Sequence, residues 1–170
     1  MNSRAQLTLF VAGPLAEKIE EIRKPLDPVQ FDLIAAHVTL CREDELEGLS
    51  TAILQRRLSR PEARPITLGF GAPEPFSTHG ILLPSVSGEE NFQALRRLVL
   101  GSATDRRQAP HITLAHPRNP KSDGNSLAAA SSLGDGMTIR FGSVCLIQQV
   151  GTSPWRIAER FDLPAAEGSE

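Results

Sequence analysis

The sequence is poor in aromatic side chains, with no tyrosine, one tryptophan and seven phenylalanines in 170 residues. It has no apolar run that approaches the roughly 20 residues needed to span a bilayer. Its N-terminus also lacks the long apolar core of a secretory signal. These absences argue against a membrane-spanning protein and predict a cytoplasmic one, most of whose few aromatic rings lie in the core.

Cysteine is also scarce: the two residues present, Cys41 and Cys145, each lie in an apolar, strand-like run. No Cys-x-x-Cys pair is formed, so a structural zinc site has no support. Free cysteines are commonly buried as small apolar side chains. We favour this interpretation over a disulfide, because nothing else indicates an oxidising compartment.

An excess of positive charge is absent as well, since the formal net charge is −2 and the pI is near 6.1. A protein that binds a long stretch of nucleic-acid backbone usually has a basic balance. The sequence therefore argues against an extended nucleic-acid footprint. It leaves open the binding of one nucleotide, or of a chain end, in a small pocket.

The composition, 40% hydrophobic and 22% charged, is that of an ordinary globular protein. The length fits one compact domain, which we place at residues 1–163, with 164–170 as a frayed tail. Helical spacing and strand-like runs alternate along the chain. Helices are predicted from 15 to the prolines at 25 and 28, and over 44–58, 89–100 and 127–133; strands are predicted over 6–12, around 37–40, and over 65–70, 80–84, 110–114, 137–150 and 155–163. This order predicts the α+β class, with two antiparallel-rich sheets and helices on their outer faces.

Two near-identical tetrapeptides stand out, His-Val-Thr-Leu at 37–40 and His-Ile-Thr-Leu at 111–114. Residues i and i+2 of a strand project to the same face. Each unit should therefore present one imidazole and one hydroxyl together, His37 with Thr39 and His111 with Thr113. The apolar residues between them should face a buried layer.

This set of side chains suits phosphoryl chemistry. Two imidazoles can supply a general base and a general acid near neutral pH, and hydroxyl groups can donate to phosphate oxygens as negative charge develops. A single His-x-Thr unit is more often a structural feature of a strand, but two copies in a chain with only four histidines favour a catalytic interpretation. No metal or other cofactor is required, and no carboxylate-rich cluster accompanies either unit.

The two units, one in each half of a small α+β chain, resemble those of the two-histidine (2H) phosphoesterases. That superfamily includes proteins called 2′-5′ RNA ligases and RNA 2′,3′-cyclic phosphodiesterases. Pro110, directly before the second unit, also resembles the family pattern. The resemblance implies a bilobal, pseudo-duplicated fold with a central cleft. His37 and His111 would supply the general base and the general acid, with either histidine in either role, and Thr39 and Thr113 would bind phosphate.

Further substrate contacts are predicted at Arg42, Arg107 and Arg118, which flank the two units, and at Phe10 on the opening strand. Trp155, Phe70 and Phe76 are other candidate stacking surfaces for a base, although core packing is the expected role for most of the aromatic rings. We place His116 off the catalytic face by strand alternation, and His79 in a loop.

The predicted activity is hydrolysis of a 2′,3′-cyclic phosphate of RNA ends or small nucleotides by a monomer. Three alternatives remain: a nucleotide-binding module without turnover, a 2′-5′ RNA ligase, and a phosphodiesterase for a non-RNA cyclic metabolite. The acidic balance and the short chain argue against a tRNA-sized substrate. The loops 71–80 and 118–126 are the expected determinants of substrate choice.

Overall fold

The computed structural model describes residues 2–101 and 106–166. Within these ranges the chain has nine strands and five α-helices, so the predicted α+β class is confirmed. The strands are β1 (Ser3–Phe10), β2 (His37–Cys41), β3 (Ile66–Phe70), β4 (Glu74–Phe76), β5 (Gly80–Ser87), β6 (His111–Ala115), β7 (Met137–Phe141), β8 (Ser143–Val150) and β9 (Arg156–Asp162). The helices are α1 (Pro14–Leu26), α2 (Pro28–Leu33), α3 (Thr51–Leu58), α4 (Glu89–Leu100) and α5 (Leu127–Ala130), with 3-10 turns at Glu43–Glu45 and Ser131–Leu133.

The described strands follow one hydrogen-bonded path, β7-β3-β5-β6-β2-β1-β8-β9, with β4 beside β5. All of their pairings are antiparallel. The path divides into two halves, β2-β1-β8-β9 and β6-β5-β3-β7, which meet where β2 lies beside β6. Only one pair of residues, Val38 and Ile112, is in register at this junction, which we call the seam. The two predicted sheets are therefore joined, and each contributes its His-x-Thr strand to the seam.

The core lies on the face of the seam strands opposite the histidines. Val38, Leu40, Ile112 and Leu114 are fully buried, as strand alternation predicts. Helix α1 packs against β6 and α5, whereas α4 packs against β2 and β3. Full burial of a branched aliphatic side chain contributes about 1.5–3 kcal/mol, so this layer fixes which way both His-x-Thr units face.

The predicted helix over 44–58 is wrong in its first half. The chain instead forms the 3-10 turn at Glu43–Glu45, and it breaks at Gly48, whose φ of 79° lies in the left-handed region. Helix α3 then starts anew, because Ser50 caps it by accepting a hydrogen bond from the backbone N–H of Ile53 at 3.2 Å.

The predicted loop 71–80 contains the short strand β4, and boundaries also differ at two other places. The apolar segment before His37 forms the short helix α2, since Asp27 caps it by accepting from the Gln30 N–H at 2.9 Å and Pro28 suits the first helical position. The predicted strand over 137–150 is two strands separated by Gly142, of which β7 pairs with β3 and β8 with β1. The chain therefore crosses between the two halves at this glycine.

In the described ranges, no helix is both long and apolar enough to cross a bilayer. Residues 164–166 have no regular secondary structure. The rest of the predicted frayed tail, 167–170, lies outside the described residues.

Candidate active site

The two His-x-Thr units lie side by side at the seam. Because Val38 is opposite Ile112 in an antiparallel pair, His37 is opposite Thr113 and His111 is opposite Thr39. Directly opposed Cβ atoms are about 4.5–5.5 Å apart and diagonal neighbours about 7–8 Å. This register puts the two imidazoles on one diagonal of a four-cornered arrangement and the two hydroxyls on the other.

All four side chains line a cleft of about 830 Å³, which we call the seam cleft. Its size lies within the range of small-molecule sites, about 300–1,000 Å³. His37, Thr39, His111 and Thr113 are each half-buried, so the site is recessed but open to a ligand.

Both imidazoles have the same orientation. Nδ1 of His37 lies 2.8 Å from the carbonyl oxygen of Ala35, and Nδ1 of His111 lies 3.0 Å from that of Ala109. A carbonyl oxygen can only accept, so Nδ1 of each ring carries a hydrogen and donates it. Nε2 is then the ring atom that can take up or release a proton in the seam cleft.

His37 has a strongly perturbed protonation equilibrium. Burial within the cleft lowers the pKa of His37 to about 4, against the opposing effect of the hydrogen bond to Ala35. The positive charges of Arg23 and His111 lower this pKa further. His37 is therefore neutral at pH 7, which suits a proton acceptor.

A phenylalanine packs beside each imidazole. The ring centroids of Phe10 and His37 are 6.1 Å apart at an interplanar angle of 63°, and those of Phe76 and His111 are 6.5 Å apart at 54°. Phe10 does not line the seam cleft; it packs on a small buried cluster that includes Ile147. Phe70 is fully buried in the core.

The predicted arginine contacts divide into two groups. Arg42 and Arg118 line the seam cleft with exposed side chains. Arg107 does not line it, and its guanidinium donates to the Glu89 carboxylate at 3.1 Å. The difference follows from α4, whose first turn presents Glu89 to Arg107.

Sequence reasoning placed His116 away from the site, yet it lines the seam cleft. Strand β6 ends at Ala115, so strand alternation no longer applies to the next residue. Nδ1 of His116 accepts from the Arg118 N–H at 3.1 Å. Burial and the charge of Arg118 lower the pKa of His116, while Asp27 opposes them.

The far end of the seam cleft was largely missed. It is lined by Arg4 and Gln6 of β1, Gln149 of β8 and Trp155 in the following turn. A signal was present in β1, where these polar residues alternate with apolar ones up to Leu7 and Leu9. Only the structure shows that this face of the strand belongs to the same cleft.

A buried arginine supports the segment before His37. Arg23 of α1 is 1% exposed; it donates two bonds of 2.7 Å to Glu20 and one of 2.8 Å to the carbonyl of Ile34. Glu20 in turn accepts from the backbone N–H of Ala36. Helix α1 thereby fixes the backbone directly ahead of the first imidazole.

A second buried arginine, Arg96 of α4, supports both units. It is 1% exposed and donates to the carbonyl of Leu40 and to Glu45, the latter at 2.6 Å. Gln108, three residues before His111, accepts weakly from Arg96 at 3.4 Å and donates to the Thr39 carbonyl at 2.9 Å. This network connects α4 to both sides of the seam.

Residues 2–101 and 106–166 contain no group of three or more His, Cys, Asp or Glu side chains placed to hold a metal ion. The seam cleft is lined by imidazoles, hydroxyls and guanidiniums, and also by the carboxylates of Glu43 and Asp44, of which Asp44 is paired with Arg106. This set can bind an anion and transfer protons.

Solved structures of other proteins share this fold. Escherichia coli LigT complexed with phosphate is 17% identical with a TM-score of 0.61, over 95% of this chain and 97% of that one. A protein described as a phosphoesterase is 16% identical with a TM-score of 0.62, over 95% and 99%. TT0787 of Thermus thermophilus is 16% identical with a TM-score of 0.55, over 94% and 97%. At these identities the likeness shows the fold alone.

A comparison with curated proteins found no matching sequence. The model of one protein family, described as the 2′-5′ RNA ligase superfamily, matches residues 11–151. The match spans well over half of the chain and contains both His-x-Thr units. The chain therefore belongs to the 2′-5′ RNA ligase superfamily, which confirms its resemblance to the two-histidine phosphoesterases.

Proposed function

We propose that the protein is a metal-independent phosphodiesterase that hydrolyses a 2′,3′-cyclic phosphate on an RNA end or a small nucleotide. The observation that carries this proposal is the diagonal placement of the two imidazoles across the seam, with a threonine hydroxyl opposite each. A phosphate between them would have one imidazole on the side of the attacking water and one on the side of the leaving oxygen.

In this mechanism Nε2 of neutral His37 takes a proton from water as the water oxygen bonds to phosphorus. On the opposite side, Nε2 of His111 gives a proton to the ribose oxygen as its bond to phosphorus breaks. The products are a phosphate monoester and a free ribose hydroxyl. Thr39 and Thr113 donate hydrogen bonds to the non-bridging oxygens, whose negative charge grows during the attack. The lowered pKa keeps His37 unprotonated at neutral pH, as a base must be, although it also makes the imidazole a weaker base.

Other observations support the proposal. The superfamily itself indicates phosphoester chemistry, and LigT, which shares the fold, was solved with 3′-AMP, with ATP and with NADP⁺. The side chains of His37 and His111 can carry out both proton transfers, so the proposed reaction needs no metal. Cys41 and Cys145 are free and buried, in keeping with a protein that works in a reducing compartment.

The test is to incubate EDTA-treated protein with each of the four nucleoside 2′,3′-cyclic monophosphates and to separate the products by chromatography. We expect conversion to a monophosphate, with kcat/KM reduced by about 10²–10⁴ in His37→Ala and in His111→Ala. His79→Gln is the matched control, since His79 does not line the seam cleft and a glutamine amide can keep the hydrogen bond to the Asn119 carbonyl. Activity that returns only with a divalent metal, or that persists in both alanine variants, would refute the proposal.

A further inference from the structure

Three polar side chains line the seam cleft next to helix α2: Gln30 of α2, and His116 and Arg118 just after β6. We call this set the α2 end. Gln30 and His116 are half-buried, and Arg118 is exposed. His37 is opposite Thr113 at the seam, and His116 follows Thr113 by three residues. Three extended residues span about 10 Å, so the α2 end lies beyond the reacting centre, on the side of His37.

The imidazole of His116 has the opposite tautomer to those of His37 and His111. Its Nδ1 lies 3.1 Å from the backbone nitrogen of Arg118, and because an N–H can only donate, Nδ1 accepts. The hydrogen of the neutral ring is then on Nε2, which forms no hydrogen bond with residues 2–101 and 106–166. Burial and the charge of Arg118 lower the pKa of this ring, so it is neutral at pH 7. His116 therefore offers the cleft a fixed donor, whereas Nε2 of His37 or His111 can exchange a proton.

The side-chain amide of Gln30 also keeps its donors available. Its Oε1 accepts from Nδ2 of Asn119 at 3.2 Å, and its Nε2 has no hydrogen-bond partner in the described part of the chain. Asn119 donates as well to Asp27, whose oxygens also accept from the backbone N–H groups of Gln30 and His116. Asp27 is 2% exposed and does not line the cleft. This carboxylate therefore holds the α2 end in place from behind and leaves its donors directed to the cleft.

The acidic side chains of the cleft lie at its other end. Glu43 and Asp44 line the cleft, but they follow Cys41, where β2 ends. Because β2 starts at His37, next to the α2 end, these two carboxylates are on the opposite side of the seam. An anion at the α2 end would therefore be close to the guanidinium of Arg118 and remote from both carboxylates.

We propose that the α2 end is a second phosphate site, which binds a terminal phosphate monoester of the substrate apart from the phosphate that reacts. This inference rests on the proposed function. His116 Nε2, the amide of Gln30 and the guanidinium of Arg118 all donate, and the last is always charged. A phosphate monoester has three acceptor oxygens and a charge of about −1.5 to −2 at pH 7, so it matches three donor groups better than a linking diester does. The substrate class is then a nucleotide that carries a 5′-phosphate as well as the 2′,3′-cyclic phosphate.

The kinetic test compares adenosine 2′,3′-cyclic phosphate with the same nucleotide carrying a 5′-phosphate. We expect wild-type kcat/KM to be higher for the 5′-phosphorylated substrate. His116→Phe and Arg118→Gln should each lower the ratio of the two kcat/KM values about tenfold, because a hydrogen bond to a charged group is lost. His116→Gln, whose amide can still donate, should keep more of the ratio than His116→Phe.

The matched control is Arg140→Gln, which removes an exposed arginine of β7 that does not line the cleft and should keep the wild-type ratio. A wild-type ratio near one, or a ratio unchanged in both His116→Phe and Arg118→Gln, would overturn the proposal. An equal gain from the methyl ester of the 5′-phosphate, which is a diester, would also overturn it.

A binding test separates this proposal from the catalytic one. Calorimetry with adenosine 3′,5′-bisphosphate and adenosine 3′-monophosphate uses ligands that have no cyclic ester to hydrolyse. The bisphosphate should bind the wild type more tightly, and Arg118→Gln, a change at an exposed side chain, should reduce this advantage about tenfold. Such an advantage without turnover of any cyclic substrate would sustain the second phosphate site and reject the proposed reaction. Turnover with equal affinity for the two ligands would sustain the reaction and reject the site.

Discussion

At the scale of single residues, the protonation of His37 provides a first prediction. Its imidazole should titrate with a pKa of about 4, because burial disfavours the charged ring. Histidine ring signals followed by NMR from pH 3 to 8, assigned with His37→Gln, measure this directly. A His37 midpoint near the ordinary value of 6.5 would contradict the assignment of this residue as a neutral base.

The lowered pKa of His37 also predicts how the stability of the folded protein changes with pH. The folded pKa of about 4 is below the unfolded value of 6.5, so between these values the unfolded chain binds a proton that the folded chain does not. Stability should therefore fall as pH drops from 6.5 to 4. Urea denaturation at pH 7 and pH 4.5 should show a smaller acid-induced loss in His37→Gln than in the wild type; equal losses would argue against the shift.

A further prediction concerns the two threonine hydroxyls of the seam cleft. Thr39→Val and Thr113→Val keep the shape of the side chain and the strand preference but remove the donor. A hydrogen bond to a charged group is worth about 1.5–3 kcal/mol, so each change should lower kcat/KM about tenfold to a hundredfold. Thr67→Val, at an exposed position of β3 away from the cleft, is the matched control. Wild-type activity in both cleft variants would show that neither threonine hydroxyl contributes to the reaction.

The face of the strands on which these four side chains lie could be predicted from strand alternation. His37, Thr39, His111 and Thr113 line the seam cleft, because the apolar residues between them are buried. Alternation holds only inside a strand, which is why it misplaced His116 just after β6 ends. It also says nothing about which residues of distant strands share a cleft, so the polar residues at the far end of the cleft could not be predicted.

At the scale of elements, long periodic segments were predicted well and breaks within them were not. Helix α4 was found at its predicted bounds, whereas the predicted helix over 44–58 is interrupted at Gly48 and the predicted strand over 137–150 is split at Gly142. Each break occurs at a glycine that a periodicity argument tolerates. Whether such a glycine ends an element depends on which strand or helix the next segment packs against. That partner is distant in the sequence, so periodicity cannot identify it.

Two glycines with similar backbones should respond differently to alanine. Gly88 begins α4 with φ of 86°, and a Cβ there would lie 2.1 Å from the carbonyl oxygen of Thr67. Gly48 has φ of 79° with open space around it. Gly48→Ala should cost about 1–2 kcal/mol for the left-handed backbone alone, and Gly88→Ala clearly more because β3 must also move. Urea unfolding of both variants measures the difference, and equal losses would mean that the clash is relieved without cost.

At the scale of the whole molecule, the two halves have little backbone pairing to hold them together. The α+β class and the family could be inferred from the sequence, but the seam could not, because its one register pair joins residues 74 positions apart. The Arg96 network adds the side-chain connections that the backbone lacks. It joins α4, the Glu43–Glu45 turn, β2 and the segment before β6, so we expect it to set the spacing of the two imidazoles.

A pair of double-mutant cycles tests this role of Arg96. The Glu43–Glu45 turn makes two ion pairs with later parts of the chain. Glu45 pairs with Arg96 of α4, and these side chains are buried, at 8% and 1% exposed. Asp44 pairs with Arg106 in the segment before β6, and these side chains are 62% and 46% exposed. Urea unfolding of Arg96→Met, Glu45→Gln and their combination should give a coupling energy of about 2–3 kcal/mol. The cycle of Arg106→Gln and Asp44→Asn should give less than about 1 kcal/mol, because water screens that pair.

The buried pair should also act on catalysis and respond to pH. Burial tends to raise the pKa of Glu45, but hydrogen bonds from Arg96 and from the Arg42 backbone outweigh it and leave this pKa lowered. The coupling is therefore present at neutral pH and is lost as pH falls and Glu45 takes up a proton. If Arg96 fixes the spacing of the imidazoles, Arg96→Met should lower kcat far more than it raises KM. Arg106→Gln should leave kcat unchanged and raise only KM, because it leaves the cleft-lining Asp44 carboxylate without its partner. A destabilised Arg96→Met protein with wild-type kcat would show that the network stabilises the fold without positioning the catalytic pair.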